Sequence, residues 1–230
     1  MVFDIISLIP KFWYSIIKYN PIINRALKKN IIKINIINLK KFGIKKGKKI
    51  YIDDYQYGGG YGMVLKIEPI YKCIKYLKKK YKYDHIIYLT PDAKLYKQKN
   101  TYKFLCKKRI LFICGHFKGI DQRIRDYIVT NEYSIGKYIL SNGEISTLVF
   151  LDSIIRLIPG VIGNIKSTIT DSFNNNIYYY EHPLYTRPYN FKNMIVPKIL
   201  LSGNHNMIKR WRLKKILIKK KKLLKKKGTK

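Results

Sequence analysis

The sequence predicts an α/β fold built on a parallel β-sheet. Short runs of β-branched residues alternate along the chain with longer helical patterns, which is the order of βαβ units. Most of these runs are apolar at consecutive positions, as strands are when helices cover both faces of a parallel sheet. A chain of 230 residues has room for one such domain and a smaller second one.

Each element follows from a stretch of the first 160 residues. Strands are predicted at "VFDIISL", "KINIINL", "DHIIYL" and "RILFICG". Helices are predicted at residues 16–27, 67–80, 120–129 and 145–157. Pro159 and Gly160 end the last helix, because proline and glycine interrupt helical backbone. Residues 1–160 are therefore predicted to form one α/β domain.

The last third of the chain has a different character. Residues 161–180 are polar and lose all periodicity, which is typical of an interdomain linker. Residues 181–230 contain three prolines and then a basic helical pattern that begins near His205 and continues into a lysine-rich tail. They are predicted to form a small helical domain that faces RNA. A solvated end is the simpler interpretation of the last ten residues.

Positive charge dominates the composition. The formal net charge is +35, from 48 basic and 13 acidic residues. A surface this basic attracts polyanions such as nucleic acid. Only eight of the basic residues are arginine, and Ile, Asn and Tyr are also abundant, so a mutational bias accounts for part of the charge. Composition therefore favours a polyanionic partner without identifying it.

Cysteine usage and the opening residues indicate an intracellular protein. Cys73, Cys106 and Cys114 are odd in number and form no C-x-x-C pair, so neither a disulfide framework nor a zinc site is predicted. The opening "MVFDIISLIP" contains Asp4 and no preceding basic residue, unlike a signal peptide. No apolar stretch reaches membrane-spanning length. We expect a cytoplasmic protein without a membrane segment or a bound metal.

Three loops that follow predicted strands are candidates for a binding site: "YLTPDA", "ICGHFKGID" and "YSIGKYILSNGE". In open α/β sheets ligands bind beyond the carboxyl ends of the strands, so the three loops can share one pocket. Each of them alone is an ordinary loop. The glycine-rich "YGGGYGM" at residues 57–63 is not a nucleotide-binding loop, because no Gly-Lys-Ser/Thr follows and Met63 stands where G-x-G-x-x-G has its third glycine.

A series of motifs stands in order along the chain and includes parts of these loops. They are "FDIISLIP", "NRALKK", "DDYQYGGGYGMVLK", "YLTP", "GID", "SIGKYILSNGE", "IPGVIGN", "DSF", "YTRP" and "LLSGNHNMIKRWR". With them the chain resembles the bacterial tRNA (guanine-N1)-methyltransferases of the SPOUT class over nearly its whole length. The resemblance implies a C-terminal trefoil knot in the α/β domain, which is rare among proteins.

The resemblance also implies that S-adenosylmethionine binds in the knot, mainly through backbone groups. Glycines suit such a site because backbone without a Cβ can approach a ligand closely. The cofactor-binding residues that the resemblance implies are Tyr88, Leu89, Thr90, Pro91, Gly115, Phe117, Gly119, Ile135, Gly136, Tyr138, Leu140 and Gly143.

Two catalytic residues follow from the same resemblance. Methylation of guanine N1 requires that N1 lose its proton, and Asp171 matches the family's general base. Arg156 matches the residue that holds the negative charge growing on guanine O6. By themselves, Asp171 is typical of a helix or turn cap and Arg156 of a surface arginine on an amphipathic helix.

The family's substrate is the guanosine immediately 3′ of the tRNA anticodon, and its members are homodimers with the active site at the interface. The resemblance implies that tRNA contacts Ser202, Asn204, His205, Arg210 and Arg212. Without it, this segment is a basic helix capped by Asn and His. The resemblance places "YGGGYGM" near the incoming anticodon loop, where glycines permit close packing of backbone.

Several residues depart from the family's usual pattern around the cofactor. Lys118 replaces a Glu, and a cation there repels a sulfonium by about 1 to 4 kcal/mol at contact distance. The other departures are Tyr61, Ala93, Lys137, Asn142 and Ser146. They leave two alternatives open: a non-catalytic RNA-binding protein that keeps the fold, and a SPOUT enzyme that modifies a different base.

Overall fold

The computed structural model describes residues 1–163, 172–173 and 180–225, with side chains as far as residue 222. The chain divides into two compact units, residues 1–163 and residues 164–230. The predicted linker at 161–180 lies largely outside the described residues.

The first unit contains nine strands and six helices among its residues. The strands are β1 (Val2–Ser7), β2 (Lys33–Asn38), β3 (Ile44–Lys46), β4 (Lys49–Tyr51), β5 (Asp53–Tyr55), β6 (Met63–Leu65), β7 (His85–Leu89), β8 (Arg109–Ile113) and β9 (Asn131–Tyr133). The helices are α1 (Pro10–Tyr19), α2 (Pro21–Lys28), α3 (Ile67–Lys80), α4 (Gln98–Leu105), α5 (Gln122–Tyr127) and α6 (Gly143–Ile155).

Five of the strands form one sheet in the order β2-β1-β8-β7-β9, and all of its neighbouring strands run parallel. Successive side chains of a strand point to opposite faces, so an apolar run supplies two cores. In β8, Phe112 packs in the core on one face, and Leu111 and Ile113 pack in the core on the other. The predicted α/β fold with a parallel sheet is confirmed.

One predicted helix is wrong, because the structure has two helices in its place. Two other predicted helices are present but begin and end at residues other than those predicted. The pattern at 16–27 covers parts of two helices, α1 and α2. The side chain of Asn20 accepts hydrogen bonds from the amides of Ile22 and Ile23 at 3.0 Å, and Pro21 has no amide hydrogen to continue α1. Predictions 120–129 and 145–157 correspond to α5 and α6. The carboxylate of Asp121 caps α5 by accepting from the Arg123 amide.

The glycine-rich segment 57–63 belongs to a β-hairpin that the sequence pattern did not predict. Strands β5 and β6 pair in antiparallel orientation on either side of it. Gly58, Gly59, Gly60 and Gly62 all have positive φ, between 79° and 113°. Glycine adopts this backbone region without steric cost. A second short hairpin, β3–β4, precedes it.

The second unit carries a small hairpin and one long helix among its described residues. The strands are β10 (Asn190–Phe191) and β11 (Met194–Ile195), and the helix is α7 (His205–Lys225). The oxygen of the Asn204 side chain accepts a hydrogen bond from the Met207 amide at 3.1 Å, so it caps the start of α7. No helix in the described part of the chain is long and apolar enough to span a membrane.

A buried carboxylate ties three strands of the sheet together. Asp4 in β1 is only 1% exposed. It accepts hydrogen bonds from Asn35 of β2 and from Tyr83, which precedes β7. The guanidinium of Arg109 at the start of β8 donates from Nε at 2.8 Å and stacks on the ring of Tyr81, 3.4 Å from its centroid.

We expect Asp4→Asn to lower the free energy of unfolding by about 2 to 3 kcal/mol. The amide leaves a partly buried guanidinium without its counter-charge, which is costly, and solvent reaching Arg109 moderates the loss. Urea unfolding measures the change. Asp126→Asn, at an exposed carboxylate of α5, is the matched control and is expected to stay within about 0.5 kcal/mol of the original protein. Equal stability of the two variants would contradict the role given to Asp4.

Candidate active site

A cavity of about 400 Å³ opens beyond the carboxyl ends of three adjacent strands. β8, β7 and β9 are neighbours in the sheet, and the loops that follow them line the cavity together with the start of α6. Parallel strands end at the same edge of a sheet, so these loops meet although roughly 20 to 25 residues separate them along the chain. The volume is in the range of small-molecule sites.

All twelve residues predicted to bind a cofactor line this one cavity. The end of β7 and the loop after it supply four, the loop after β8 supplies three, and the segment from β9 to the start of α6 supplies five. They are Tyr88, Leu89, Thr90, Pro91, Gly115, Phe117, Gly119, Ile135, Gly136, Tyr138, Leu140 and Gly143.

Two glycines let backbone segments meet at the cavity. The amide of Gly143 donates a hydrogen bond to the carbonyl of Gly115 at 2.7 Å. A Cβ at Gly143 would lie 2.5 Å from the Gly115 nitrogen, which is shorter than any tolerable contact. A Cβ at Gly115 would lie 3.0 Å from the ring of Tyr88. The start of α6 is therefore held against the loop after β8 at a distance that only glycine allows.

A buried glutamate joins three elements behind this contact. Glu144 in the first turn of α6 is 1% exposed. Its Oε1 accepts a hydrogen bond from the hydroxyl of Ser7, at the end of β1, at 2.7 Å. Nε2 of His116 lies 2.9 Å from both of its carboxylate oxygens. The amino end of α6 also favours a negative charge at this position. This pairing fixes the loop at 115–119 relative to the sheet.

A second set of polar side chains, centred on Arg125, connects the elements on the other side of the cavity. Nε and Nη2 of Arg125 contact the two carboxylate oxygens of Glu132 in β9 at 2.7 and 2.8 Å. Nη2 also lies 3.0 Å from the carboxylate of Asp92, in the loop after β7. The Thr90 hydroxyl and Arg125 hold the pKa of Asp92 below its usual value. Burial raises the pKa of Tyr88 above its usual value, so its hydroxyl stays protonated at neutral pH.

The glycine hairpin reaches the rim of the cavity. The amide of Lys118 donates to the carbonyl of Met63 at 2.9 Å, and the amide of Leu65 donates to the carbonyl of Gly119 at 3.0 Å. A Cβ at Gly62 would lie 3.0 Å from Cγ of Lys118. Strand β6 therefore extends along the loop that lines the cavity, and Lys118 belongs to that lining.

Nearly the whole sequence matches a known family. A family model described as tRNA (Guanine-1)-methyltransferase TrmD matches residues 1–226. The chain belongs to this family. The recognition made from the motifs is confirmed, and a methyltransferase of the TrmD family requires a methyl donor.

Individual members of the TrmD family match along similar lengths. The tRNA (guanine-N(1)-)-methyltransferase of Buchnera aphidicola is 49% identical, with 98% of this chain and 95% of that protein covered. The protein of the same name from Christiangramia forsetii is 46% identical, with 91% and 90% covered. The crystal structure of tRNA (m1G37) methyltransferase from Aquifex aeolicus superposes with a TM-score of 0.75 at 34% identity, covering 93% of this chain and 88% of that one.

Of the two residues with predicted catalytic roles, the structure describes only Arg156, and it does not line the cavity. Asp171 lies outside the described residues. Arg156 follows the last residue of α6 and is absent from the lining of the cavity, which includes Gly143 at the opposite end of that helix. The 13 residues of α6 separate the two positions by about 20 Å.

The five predicted RNA-binding residues lie together around the start of α7. The hydroxyl of Ser202 accepts from the Asn204 amide, and Asn204 caps the helix. His205, Arg210 and Arg212 are exposed on its first two turns. The predicted contacts are therefore accessible on one segment of the second unit.

Sequence reasoning missed Glu144 and Arg125 as residues that shape the site. An acidic residue directly after Asn-Gly and before an apolar helix is a weak signal of a charge at a helix start. Nothing in the local sequence connects Glu144 with Ser7, which precedes it by 137 residues. Arg125 lies on the short helix α5, and the carboxylates that its guanidinium contacts belong to β9 and to the loop after β7.

Proposed function

We propose that this protein transfers a methyl group from S-adenosylmethionine to N1 of the guanosine immediately 3′ of the anticodon in tRNA. The match of a single tRNA methyltransferase family to residues 1–226 carries the proposal. The names of the relatives support the base and the substrate. The similarity to the Aquifex aeolicus tRNA (m1G37) methyltransferase supports the position in tRNA.

The cavity suits S-adenosylmethionine in size and lining. The aromatic and aliphatic side chains of Tyr88, Phe117 and Leu140 offer apolar surface for an adenine ring. Backbone groups of the loops after β7, β8 and β9 are available for polar atoms of the ligand, and Gly115 and Gly119 leave the backbone open to close approach. When bound, S-adenosylmethionine supplies an electrophilic methyl group on a sulfonium sulfur. We propose that the twelve predicted cofactor-binding residues hold it within a trefoil knot.

Asp171 is proposed as the general base that removes the proton from guanine N1. A carboxylate is ionised at neutral pH and accepts a proton from a nitrogen within hydrogen-bonding distance. Arg156 is proposed to hold guanine O6, where negative charge grows as N1 loses its proton, because a guanidinium presents planar donors and stays charged. Both residues would position the base for in-line attack on the methyl group.

The position of Arg156 supports an active site shared by two copies of the chain. It lies at the other end of α6, about 20 Å along the helix from the cavity residue Gly143, so a cavity that belongs to a second copy is the better candidate for its guanine. Ile145 and Val149, one helical turn apart on α6, are 39% and 48% exposed. An exposed apolar stripe on an otherwise buried helix is suited to cover by a second subunit. We therefore propose a homodimer.

The second unit is proposed to bind the tRNA. Exposed Arg210 and Arg212 can form salt-dependent contacts with phosphates, and His205 and Asn204 offer donors and acceptors at the start of α7. A loop nucleotide next to the anticodon exposes its base edges once it leaves the stack, so it can enter a protein cavity.

We expect Glu144→Gln to weaken S-adenosylmethionine binding about tenfold. The neutral amide loses the charge-assisted hydrogen bonds from Ser7 and His116, so the loop that forms one wall of the cavity is less firmly held. Calorimetric titration of the ligand measures the change. Glu68→Gln is the matched control, because Glu68 also stands in the first turn of a helix but is exposed and outside the cavity lining. Unchanged affinity in Glu144→Gln would contradict this role.

One assay tests the proposed function directly. The purified protein is incubated with methyl-labelled S-adenosylmethionine and two tRNA transcripts that differ only in having guanosine or adenosine immediately 3′ of the anticodon. We expect N1-methylguanosine in digests of the first transcript and no label in the second. Equal labelling of both would indicate another base, and binding of tRNA without heat from millimolar S-adenosylmethionine would indicate a non-catalytic RNA-binding protein.

A further inference from the structure

An exposed, lysine-rich surface of the first unit has no part in the proposed chemistry. It comprises the 3₁₀ turn Leu39–Phe42, the β3–β4 hairpin and the outer side of α3, and we call it the lysine face. Residues 39–51 contribute six lysines and α3 contributes five, and all eleven are exposed.

The three segments of the lysine face form one continuous surface. The ring of Phe42 in the 3₁₀ turn lies 5.7 Å from the ring of Tyr76 on α3, measured between centroids. Gly43 leads directly from the turn into β3, and a Cβ there would lie 2.4 Å from the side chain of Ile50 in β4. The hairpin therefore folds closely against the end of the turn, which itself packs on α3.

The lysine face has few acidic residues to balance its charge. Residues 39–51 contain no acidic residue, and α3 contains only Glu68, at its start. Within the described residues, none of the eleven lysines forms a salt bridge. Eleven like charges on one surface repel each other, and a polyanion that covers them removes that repulsion and releases counterions.

Exposed tyrosines stand among these lysines. Three of them are 41% to 48% exposed, and each has a lysine ammonium within 6.0 Å of its ring centroid. Tyrosine hydroxyls and lysine ammonium groups are donors of the kind that contact phosphate and sugar oxygens of nucleic acids. The pairs are Lys46 with Tyr51, Lys75 with Tyr71, and Lys80 with Tyr76.

Strand β6 and the start of α3 connect the lysine face to the rim of the cavity. Strand β6 hydrogen-bonds to the cavity loop through Met63 and Leu65, and the amide of Lys66 donates to the carbonyl of Ile52, between β4 and β5, at 2.9 Å. Helix α3 starts at the next residue and extends about 21 Å. A polyanion with one nucleotide in the cavity can therefore lie along this face, which favours RNA over a lipid surface as the partner.

We propose that the lysine face binds the phosphate backbone of a tRNA stem while the target guanosine occupies the cavity. This inference rests on the proposed function, since it concerns the same substrate. It adds a second RNA-binding surface, in the first unit, to the segment around α7. The contacts are electrostatic and independent of sequence, so they set affinity and not the choice of base.

The test compares two triple variants that remove the same charge. Lys46→Gln/Lys75→Gln/Lys79→Gln alters the lysine face, and Lys99→Gln/Lys103→Gln/Lys108→Gln alters exposed lysines on and after α4. Affinity for the tRNA transcript is measured by fluorescence anisotropy at several salt concentrations. For the first variant we expect the negative slope of log affinity against log salt to become shallower by about 2 to 3. We also expect the KM for tRNA to rise about tenfold at roughly 0.1 M salt. We expect kcat and S-adenosylmethionine affinity to stay unchanged.

Two outcomes would overturn the inference. Equal losses in both variants would show that only total charge matters, as a compositional bias implies. Loss of binding to phosphatidylglycerol vesicles, with unchanged tRNA affinity, would assign the face to lipid. The transcript assay on the original protein separates these outcomes from failure of the proposed function, because it does not depend on either variant.

Discussion

Replacement of Asp171 by Asn is expected to lower kcat for methyl transfer by about 10²- to 10⁴-fold, the usual contribution of a general base. Asparagine has nearly the same shape but cannot accept the proton of guanine N1. The twelve residues predicted to bind the cofactor all belong to the first unit, so S-adenosylmethionine affinity is expected to stay unchanged. Single-turnover methylation and calorimetric titration measure the two quantities separately.

Asp126→Asn is the control for this experiment, since it removes an equal charge from an exposed site on α5. It is expected to retain full activity. If Asp171→Asn methylated tRNA as fast as the original protein, another group would have to take the proton and the proposed mechanism would fail. If it lost S-adenosylmethionine binding as well, Asp171 would have a structural role instead.

The pattern of strands was predictable because the sheet is buried on both faces. A strand covered by helices is apolar at consecutive positions, so β1, β7 and β8 stand out in a lysine-rich chain. The order of strands was not predictable. It places β7 between β8 and β9, and this order is what joins three loops into one cavity.

The short hairpins escaped prediction for a physical reason. Strands β3 and β4 have three residues each and are mostly exposed, so they lack the alternation of apolar and polar residues that identifies a half-buried strand. The boundary between α1 and α2 was readable in principle, because Asn followed by Pro favours a helix start. The periodic apolar residues on both sides of Asn20 concealed it.

The site divides in the same way between predictable and unpredictable parts. The motifs predicted twelve of the residues that line the cavity, because recognition by backbone groups depends on glycines at fixed places in the loops. Buried polar contacts such as Glu144 with Ser7 and His116 depend on residues distant in sequence. Charged residues are rarely buried without partners, so burial of Glu144 could be inferred only once its partners were known.

Gly143→Ala is expected to weaken S-adenosylmethionine binding by about tenfold to a hundredfold. The added methyl would lie 2.5 Å from the backbone nitrogen of Gly115 and 3.1 Å from the backbone of Cys114. Backbone on both sides has to separate, which breaks the 2.7 Å hydrogen bond between Gly143 and Gly115. Overpacking of this kind costs about 1 to 3 kcal/mol, and the displaced loop forms a wall of the cavity.

Gly163→Ala is a control in which the same substitution is expected to leave stability unchanged or raise it. No atom of the residues that the structure describes lies within 4 Å of a Cβ at Gly163. An alanine that fits without strain restricts the unfolded chain, which stabilises a protein by about 0.4 to 1 kcal/mol. Thermal melting should therefore show a lower Tm for Gly143→Ala and an unchanged or higher Tm for Gly163→Ala, with ligand affinity reduced only in the first. If both variants melted alike and bound S-adenosylmethionine equally well, the close contact between α6 and the loop after β8 would not shape the site. If Gly143→Ala lost stability but kept its affinity, the contact would support the fold alone.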